Sequence, residues 1–129
     1  VDMHSMPPLS PRMPGEAAPE IVLGDRFGAT CEGALCAAAF DELNRQRRVA
    51  AHNRPYAGGY VLDRHGAPEQ GIHALQVEIC RSTYLDGRMA EPVEDTMAGI
   101  VLSLTALVRR LAEETAALGR AVQFPQAAE

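Results

Sequence analysis

The hydrophobic positions of the chain follow two periods, which predict an alternation of strands and helices. An apolar run at 21–24 ends in glycine and predicts a buried strand, followed by a polar turn at 25–30. The clearest strand covers residues 73–81, where two sets of side chains alternate. The sets are Leu75, Val77 and Ile79, and Gln76, Glu78 and Cys80. Because strand side chains have a period of two, the sets should face opposite sides of the sheet.

Apolar residues recur at helical spacing in two other segments. Residues 32–48 carry such a pattern and end in a cluster of arginines, which suits the last turn of a helix. A longer amphipathic helix is predicted over 94–118, with Gly119 as its stop and a frayed tail at 123–129. Its polar face carries both signs of charge, so we expect the apolar stripe to pack against a sheet rather than a membrane.

The remaining segments read as connections with short extended stretches. Residues 9–20 contain three prolines and predict a loop. Short extended segments are expected near 48–52 and 59–62, separated by a turn-rich loop at 53–60. Strands alternating with helices over short connections predict an α/β fold, a mixed sheet flanked by helices.

Length, composition and charge narrow the function classes. The 129 residues suffice for one domain, and 47% hydrophobic with 22% charged residues is typical of a globular protein. A net charge of -5 gives no basic excess, so we expect neither nucleic acid nor a membrane surface as partner. No apolar run approaches the roughly 20 residues that span a bilayer.

The cysteines and most histidines carry no recognisable metal-site spacing. Cys31, Cys36 and Cys80 are odd in number and form no CxxC pair, and the first residues show no basic segment followed by an apolar run. We expect free thiols in a cytoplasmic protein, small and buried or partly exposed, rather than metal ligands. Surface or structural roles are likewise expected for three histidines: His52, His65 and His73.

Four blocks of sequence together resemble one family, the N-formylglutamate amidohydrolases. The blocks are DMHSMP at 2–7, GDRFG at 24–28, NRPYAGGY at 53–60 and HALQVEICRSTYLD at 73–86. The resemblance implies a fold similar to the zinc carboxypeptidases, with one Zn²⁺ held by a mixed sheet. It further implies removal of the formyl group from N-formylglutamate, or from a related N-acyl amino acid, late in histidine degradation.

The resemblance also assigns roles to individual residues. His4 falls on a zinc ligand, Glu78 on the catalytic carboxylate, and Asn53 with Arg54 on residues that grip a substrate carboxylate. Arg26 and Arg81 are weaker candidates for a second substrate carboxylate.

Each role has an ordinary alternative. Glu78 lies among apolar residues, where a carboxylate is costly to bury unless it is paired or functional. Its alternatives are an ion pair with Arg81 or a solvated sheet face. Arg54 has a planar fork suited to carboxylates, and its alternative is a solvated loop arginine. The alternative for His4 is an ordinary hydrogen-bonded histidine.

One departure from the family pattern shapes the whole interpretation. The family's other two zinc ligands, a histidine and a carboxylate, lie in a half that would precede Val1. A catalytic zinc site usually takes three protein ligands. We therefore expect residues 1–129 to be a single, incomplete domain, the C-terminal part of an amidohydrolase, that self-associates into a homo-oligomer through uncovered surfaces. The alternative is a non-catalytic α/β fragment that acts only through association.

Overall fold

The computed structural model describes residues 1–123, and within them four strands form one sheet. The strands are β1 (Asp2–Met6), β2 (Ile21–Gly24), β3 (Ala50–His52) and β4 (Gln76–Cys80). The helices are α1 (Gly33–Arg45), α2 (Tyr60–His65) and α3 (Glu94–Gln123), with short 3-10 helices at Pro68–Gln70 and Arg81–Thr83. The predicted α/β fold with a mixed sheet is confirmed.

The strand order determines which polar residues meet. The order is β1-β4-β2-β3, with β1 parallel to β4, β2 parallel to β3, and β2 antiparallel to β4. The residues that follow β2 and β3 therefore lie at one end of the strands, and the residues that follow β4 lie at the opposite end. Asp25 and Asn53 both lie at the end where β2 and β3 finish, whereas Arg81 lies at the opposite end, after β4.

Both long helices cover the same face of the sheet. Their contact with each other and with the strands buries one large apolar cluster. This cluster includes Ile21, Leu23, Val77 and Ile79 from the sheet, Leu35, Ala39 and Leu43 from α1, and Ile100, Leu107 and Leu111 from α3. The apolar stripe predicted for the long helix is thus core, as expected.

The opposite face of the sheet is covered by connecting segments. Met6, Val22 and Cys80 form a smaller buried cluster, against which Leu9 and Tyr56 pack. Val77 and Cys80 belong to different clusters, which confirms the alternation predicted for the strand. Residues 7–20 cross this face without forming a helix or strand.

Several predicted boundaries were wrong. Residues 60–65 form α2 rather than an extended segment, because Leu62 turns inward and is fully buried. Gly119 does not end α3, which continues to Gln123, the first residue of the predicted tail; the rest of that tail, 124–129, lies outside the described residues. β3, β4 and α1 are shorter than predicted by a few residues, whereas β2 has the predicted bounds. No helix within residues 1–123 combines the length and apolar content needed to cross a bilayer.

Candidate functional site

His4 and Glu78 are neighbours on the face of the sheet opposite α1 and α3. In the parallel pairing of β1 with β4, His4 lies directly beside Glu78, and Met6 beside Cys80. Residues paired in this way point to the same side of a sheet. Since Met6 and Cys80 belong to the cluster opposite α1 and α3, His4 and Glu78 also face that side.

Glu78 is a buried carboxylate without a cationic partner at salt-bridge distance among the described residues. Its exposed fraction is 7%, and the amide Nε2 of Gln76 donates a hydrogen bond to Oε1 at 3.0 Å. Burial raises the pKa of Glu78, the positive charge of His4 opposes this shift, and the charge of Asp2 adds to it. A carboxyl group with a raised pKa is suited to accept and return a proton near neutral pH.

His4 is exposed and hydrogen-bonded to a neighbouring carboxylate. Its Nε2 donates to Oδ2 of Asp2 at 2.9 Å, and this bond raises the pKa of His4. The exposed imidazole uses only Nε2 for the bond to Asp2, so Nδ1 is accessible to a metal ion while that bond is kept. His4 thus fits the ligand role, but as one donor only: it does not belong to any group of three converging donors in the described part of the chain.

A second polar cluster lies at the carboxyl ends of β2 and β3. Nδ2 of Asn53 donates to Oδ1 of Asp25 at 2.7 Å, and its Oδ1 accepts from the Asp25 backbone N–H at 2.9 Å. Oδ1 of Asp25 also accepts from the Gly28 N–H at 3.0 Å. Burial alone would raise the pKa of Asp25, but the bonds from Asn53, Gly28 and His52 outweigh it and hold this pKa below its ordinary value.

The same cluster includes a thiol from α1. Nε2 of His52 lies 3.0 Å from Oδ2 of Asp25 and 3.4 Å from Sγ of Cys36. Burial, together with the negative charge of Asp25, raises the pKa of the Cys36 thiol to about 12. Sequence reasoning missed this group, because residues 25, 36 and 52 form no local motif.

The predicted substrate-binding residues are divided between different places. Asn53 is buried, and both polar atoms of its side chain are hydrogen-bonded to Asp25. It therefore links the ends of β2 and β3 rather than projecting into solvent. Arg26 is exposed and its Nε donates to Oδ1 of Asp63 at 2.8 Å. Arg81 follows β4 and lies at the opposite end of the strands from the other predicted substrate-binding residues.

Arg54 lines a cavity with an arginine that sequence reasoning missed. The cavity, of about 220 Å³, lies between the loop at 7–20 and the end of β3, and Arg12 contributes to its wall. Neither guanidinium has an ion-pair partner among the described residues. Only the fold reveals Arg12, because a proline-rich loop gives no signal for it.

The three other histidines and the cysteines are placed largely as expected. Nδ1 of His73 accepts from the Glu32 N–H at 3.3 Å, and His65 is exposed. His52 differs, since it contacts both Asp25 and Cys36. All three cysteines are free and buried, which confirms the predicted thiols.

Comparison with known proteins places this arrangement in a family. The sequence profile of the family described as N-formylglutamate amidohydrolase matches residues 1–85. An N-formylglutamate deformylase of Pseudomonas aeruginosa PAO1 is 31% identical over 121 residues, covering 92% of this chain and 44% of that protein. One of Pseudomonas putida is 30% identical over 87 residues, covering 66% of this chain and 32% of that protein.

A solved structure agrees with the sequence comparisons. The crystal structure of N-formylglutamate amidohydrolase from Ralstonia eutropha JMP134 superposes with a TM-score of 0.65 at 30% identity, covering 94% of this chain and 42% of that one. The chain spans less than half the length of each of these relatives. The profile match covers the blocks that hold His4, Asn53 and Glu78. The chain belongs to the N-formylglutamate amidohydrolase family.

Proposed function

We propose that this chain is the C-terminal part of a zinc-dependent amidohydrolase that removes the formyl group from N-formylglutamate or a related N-acyl amino acid. The supporting observation is that His4 and Glu78 lie side by side on one sheet face, within the region that the family profile matches. A small-molecule substrate fits the names of the relatives. Free thiols fit a cytoplasmic location.

The residues present fit a zinc ion in part. His4 would supply one ligand, and further ligands would come from polypeptide outside this chain, since catalytic zinc usually has three protein ligands. When bound, the ion would supply Lewis acidity to the amide carbonyl. The 129-residue chain alone is therefore expected to hydrolyse N-formylglutamate little or not at all.

Glu78 would act as the proton carrier. Its burial favours the protonated form, so the carboxylate is a better proton acceptor than an exposed one. Gln76 holds Oε1 and leaves Oε2 for the proton that moves to the leaving amine. This role requires that the substrate amide lie over β4, beside His4.

Arg54 would hold a substrate carboxylate, and Arg12 is a better placed candidate for the second one than Arg26 or Arg81. Both Arg12 and Arg54 line one cavity. By contrast, Arg26 is paired with Asp63, and Arg81 lies at the opposite end of the strands, after β4. Asn53 would act indirectly, by fixing the backbone that carries Arg54. A guanidinium is suited to bidentate contact with a carboxylate.

A chimera tests these assignments. The part of the Pseudomonas aeruginosa relative that aligns with this chain is replaced by the chain, and hydrolysis of N-formylglutamate and bound zinc are measured. Glu78→Gln should lower kcat by roughly 10²–10⁴-fold with zinc content unchanged. His4→Gln should remove one equivalent of zinc. Arg54→Ala should mainly raise KM, because it removes a ground-state contact.

The control is Glu69→Gln, which changes an exposed glutamate on a short 3-10 helix and should leave kcat unaltered. Normal kcat in Glu78→Gln, or loss of zinc from it, would show that Glu78 is not the proton carrier. An inactive chimera that folds and contains its zinc would count against the proposed reaction itself.

A non-catalytic role through association is the second candidate. Met3 on β1 and Val101 and Val108 on α3 line an apolar groove that is open to solvent, and Leu102 nearby is 71% exposed. Exposed apolar patches mark association surfaces. Sedimentation of the chain and of Val101→Glu tests this: a concentration-dependent oligomer that the substitution dissociates would support it, and a monomer at all concentrations would refute it.

A further inference from the structure

We propose that Asp25, Cys36 and His52 form a zinc site separate from the one at His4. The ligand atoms would be Oδ2 of Asp25, Sγ of Cys36 and Nε2 of His52, which lie within 4.8 Å of one another. A carboxylate, a thiolate and an imidazole are all ligands that Zn²⁺ takes in proteins. Neither the family resemblance nor the proposed amidohydrolase mechanism assigns these three residues to a metal.

Two of the three ligand separations lie close to those of tetrahedral zinc coordination. Zinc bonds of roughly 2.0–2.3 Å at tetrahedral angles separate the ligand atoms by about 3.3–3.6 Å. Nε2 of His52 lies 3.4 Å from Sγ of Cys36 and 3.0 Å from Oδ2 of Asp25. For these two pairs, shifts of a few tenths of an ångström would match zinc coordination, and the third pair, Asp25 with Cys36, lies within 4.8 Å.

The ligands are held by regular elements and by supporting contacts. Asp25 follows β2, Cys36 belongs to α1 and His52 ends β3. Asn53 and the Gly28 N–H both bond Oδ1 of Asp25, which leaves Oδ2 directed at the other two donors. Such supporting hydrogen bonds orient metal ligands and are part of many zinc sites.

Aromatic packing and solvent access complete the site. The ring of Phe40 contacts the His52 ring edge-on, with centroids 5.4 Å apart and planes at 73°. Phe40, Cys36, His52 and Asp25 all line a cavity of about 590 Å³ that opens to solvent. The cavity gives the ion an entry path and leaves a fourth position for water.

The geometry does not suit a cysteine-histidine-aspartate catalytic triad. A triad needs the nucleophile on one ring nitrogen and the carboxylate on the other. Here the single atom Nε2 of His52 faces both Cys36 and Asp25. Convergence of three donors on one point is the arrangement of a cation site.

This site is distinct from the one proposed at His4. His4 lies on β1 and His52 on β3, with β4 and β2 between them. Three strand spacings amount to about 14 Å. Binding at the second site would replace the S–H bond of Cys36 by a sulfur–zinc bond and release that proton to solvent, with no change of oxidation state.

Titration of the metal-free 129-residue chain with ZnCl₂ and CoCl₂ tests the proposal. We expect one equivalent of zinc to bind, and Co²⁺ to give a thiolate-to-metal charge-transfer band. Cys36→Ser should remove the band, and His52→Gln should raise the zinc Kd at least tenfold. The matched controls, Cys80→Ser and His65→Gln, should leave both measurements unchanged.

Two further measurements keep the test decisive. If Cys36→Ser does not fold, proton release from the wild-type chain replaces it: binding of zinc in weakly buffered solution should release the Cys36 proton, and binding without proton release would overturn the proposal. His4→Gln should retain the bound zinc, which separates this site from the proposed catalytic one. Absence of zinc binding, loss of binding in His4→Gln, or unchanged binding in His52→Gln would overturn the proposal.

Discussion

Removal of the Asn53 side chain should destabilise the fold strongly, because this amide joins the ends of β2 and β3. Its Nδ2 donates to Oδ1 of Asp25 at 2.7 Å and its Oδ1 accepts from the Asp25 N–H at 2.9 Å, both in a buried environment. Asn53 has a φ of 58°, a conformation that glycine adopts without strain. Asn53→Gly therefore removes the two hydrogen bonds and keeps the backbone accessible.

The expected loss follows from the two bonds. A hydrogen bond to a charged group contributes about 1.5–3 kcal/mol, and a buried N–H left without a partner costs about 1–3 kcal/mol. The Gly28 N–H still donates to Oδ1 of Asp25, and His52 still contacts Oδ2, so we take the lower part of the sum. The free energy of unfolding should fall by about 3 kcal/mol, which lowers Tm by about 10 °C.

Urea unfolding followed by circular dichroism measures this loss. The control is Asn44→Gly on the exposed face of α1, where the same substitution should cost about 1 kcal/mol or less. Asn53→Ala should be worse than Asn53→Gly by about 1–2 kcal/mol, because alanine resists the left-handed conformation. A loss in Asn53→Gly no larger than that of the control would show that the Asn53–Asp25 bonds contribute nothing, and the reasoning would be refuted.

Three other substitutions give independent checks. Gly24→Ala would place a Cβ 2.6 Å from the carbonyl carbon of Ala57, so urea unfolding should show a loss of about 1–3 kcal/mol; a neutral result would mean that the loop moves freely. Backbone N–H groups, foremost that of residue 90, hold the pKa of Asp86 below its ordinary value; the stability advantage over Asp86→Asn should be present at pH 7 and vanish as the pH falls through that pKa, and a pH-independent difference would contradict this. Glu78→Gln removes a buried charge whose pKa burial raises, so in the presence of a chelator it should raise the free energy of unfolding at pH 7; a loss instead would indicate an unrecognised cationic partner.

The local part of the fold could be predicted from the sequence. Alternation over residues 75–80 identifies β4 and its two faces, because the period of a strand is independent of its partners. The apolar stripe of α3 predicts core packing for the same reason. Resemblance to the family added His4 and Glu78, which the register of β1 and β4 brings side by side.

The long-range part could not be predicted. The order β1-β4-β2-β3 joins strands that are distant in sequence, and no pattern within a strand specifies its neighbour. The cluster of Asp25, Cys36 and His52 depends on that order and on the position of α1, so its members look unrelated in the sequence. Arg12 and Arg54 line one cavity because of the path that the proline-rich loop takes, and the sequence of that loop does not specify this path.

Two errors in the secondary structure have tertiary causes. The sequence predicts an extended segment near 59–62, but burial of Leu62 against Gly58 stabilises a helical turn there. Gly119 was expected to end α3, yet a glycine inside a helix costs only about 1 kcal/mol. A long helix that already packs against the core can absorb this cost, and α3 continues through Gly119.

The proposed zinc site at His4 and the open edge of the sheet have a common physical consequence. Among the described residues β1 pairs only with β4, so its other side presents unpaired backbone groups, and His4 lies on this same edge strand. Unpaired strand edges favour addition of further chain. Glu78 occupies the side of His4 towards β4, and the open side of β1 leaves room for polypeptide that would supply additional zinc ligands. Polypeptide that packs along β1 would therefore complete the strand pairing and the metal coordination together, and substitutions at that edge should weaken both.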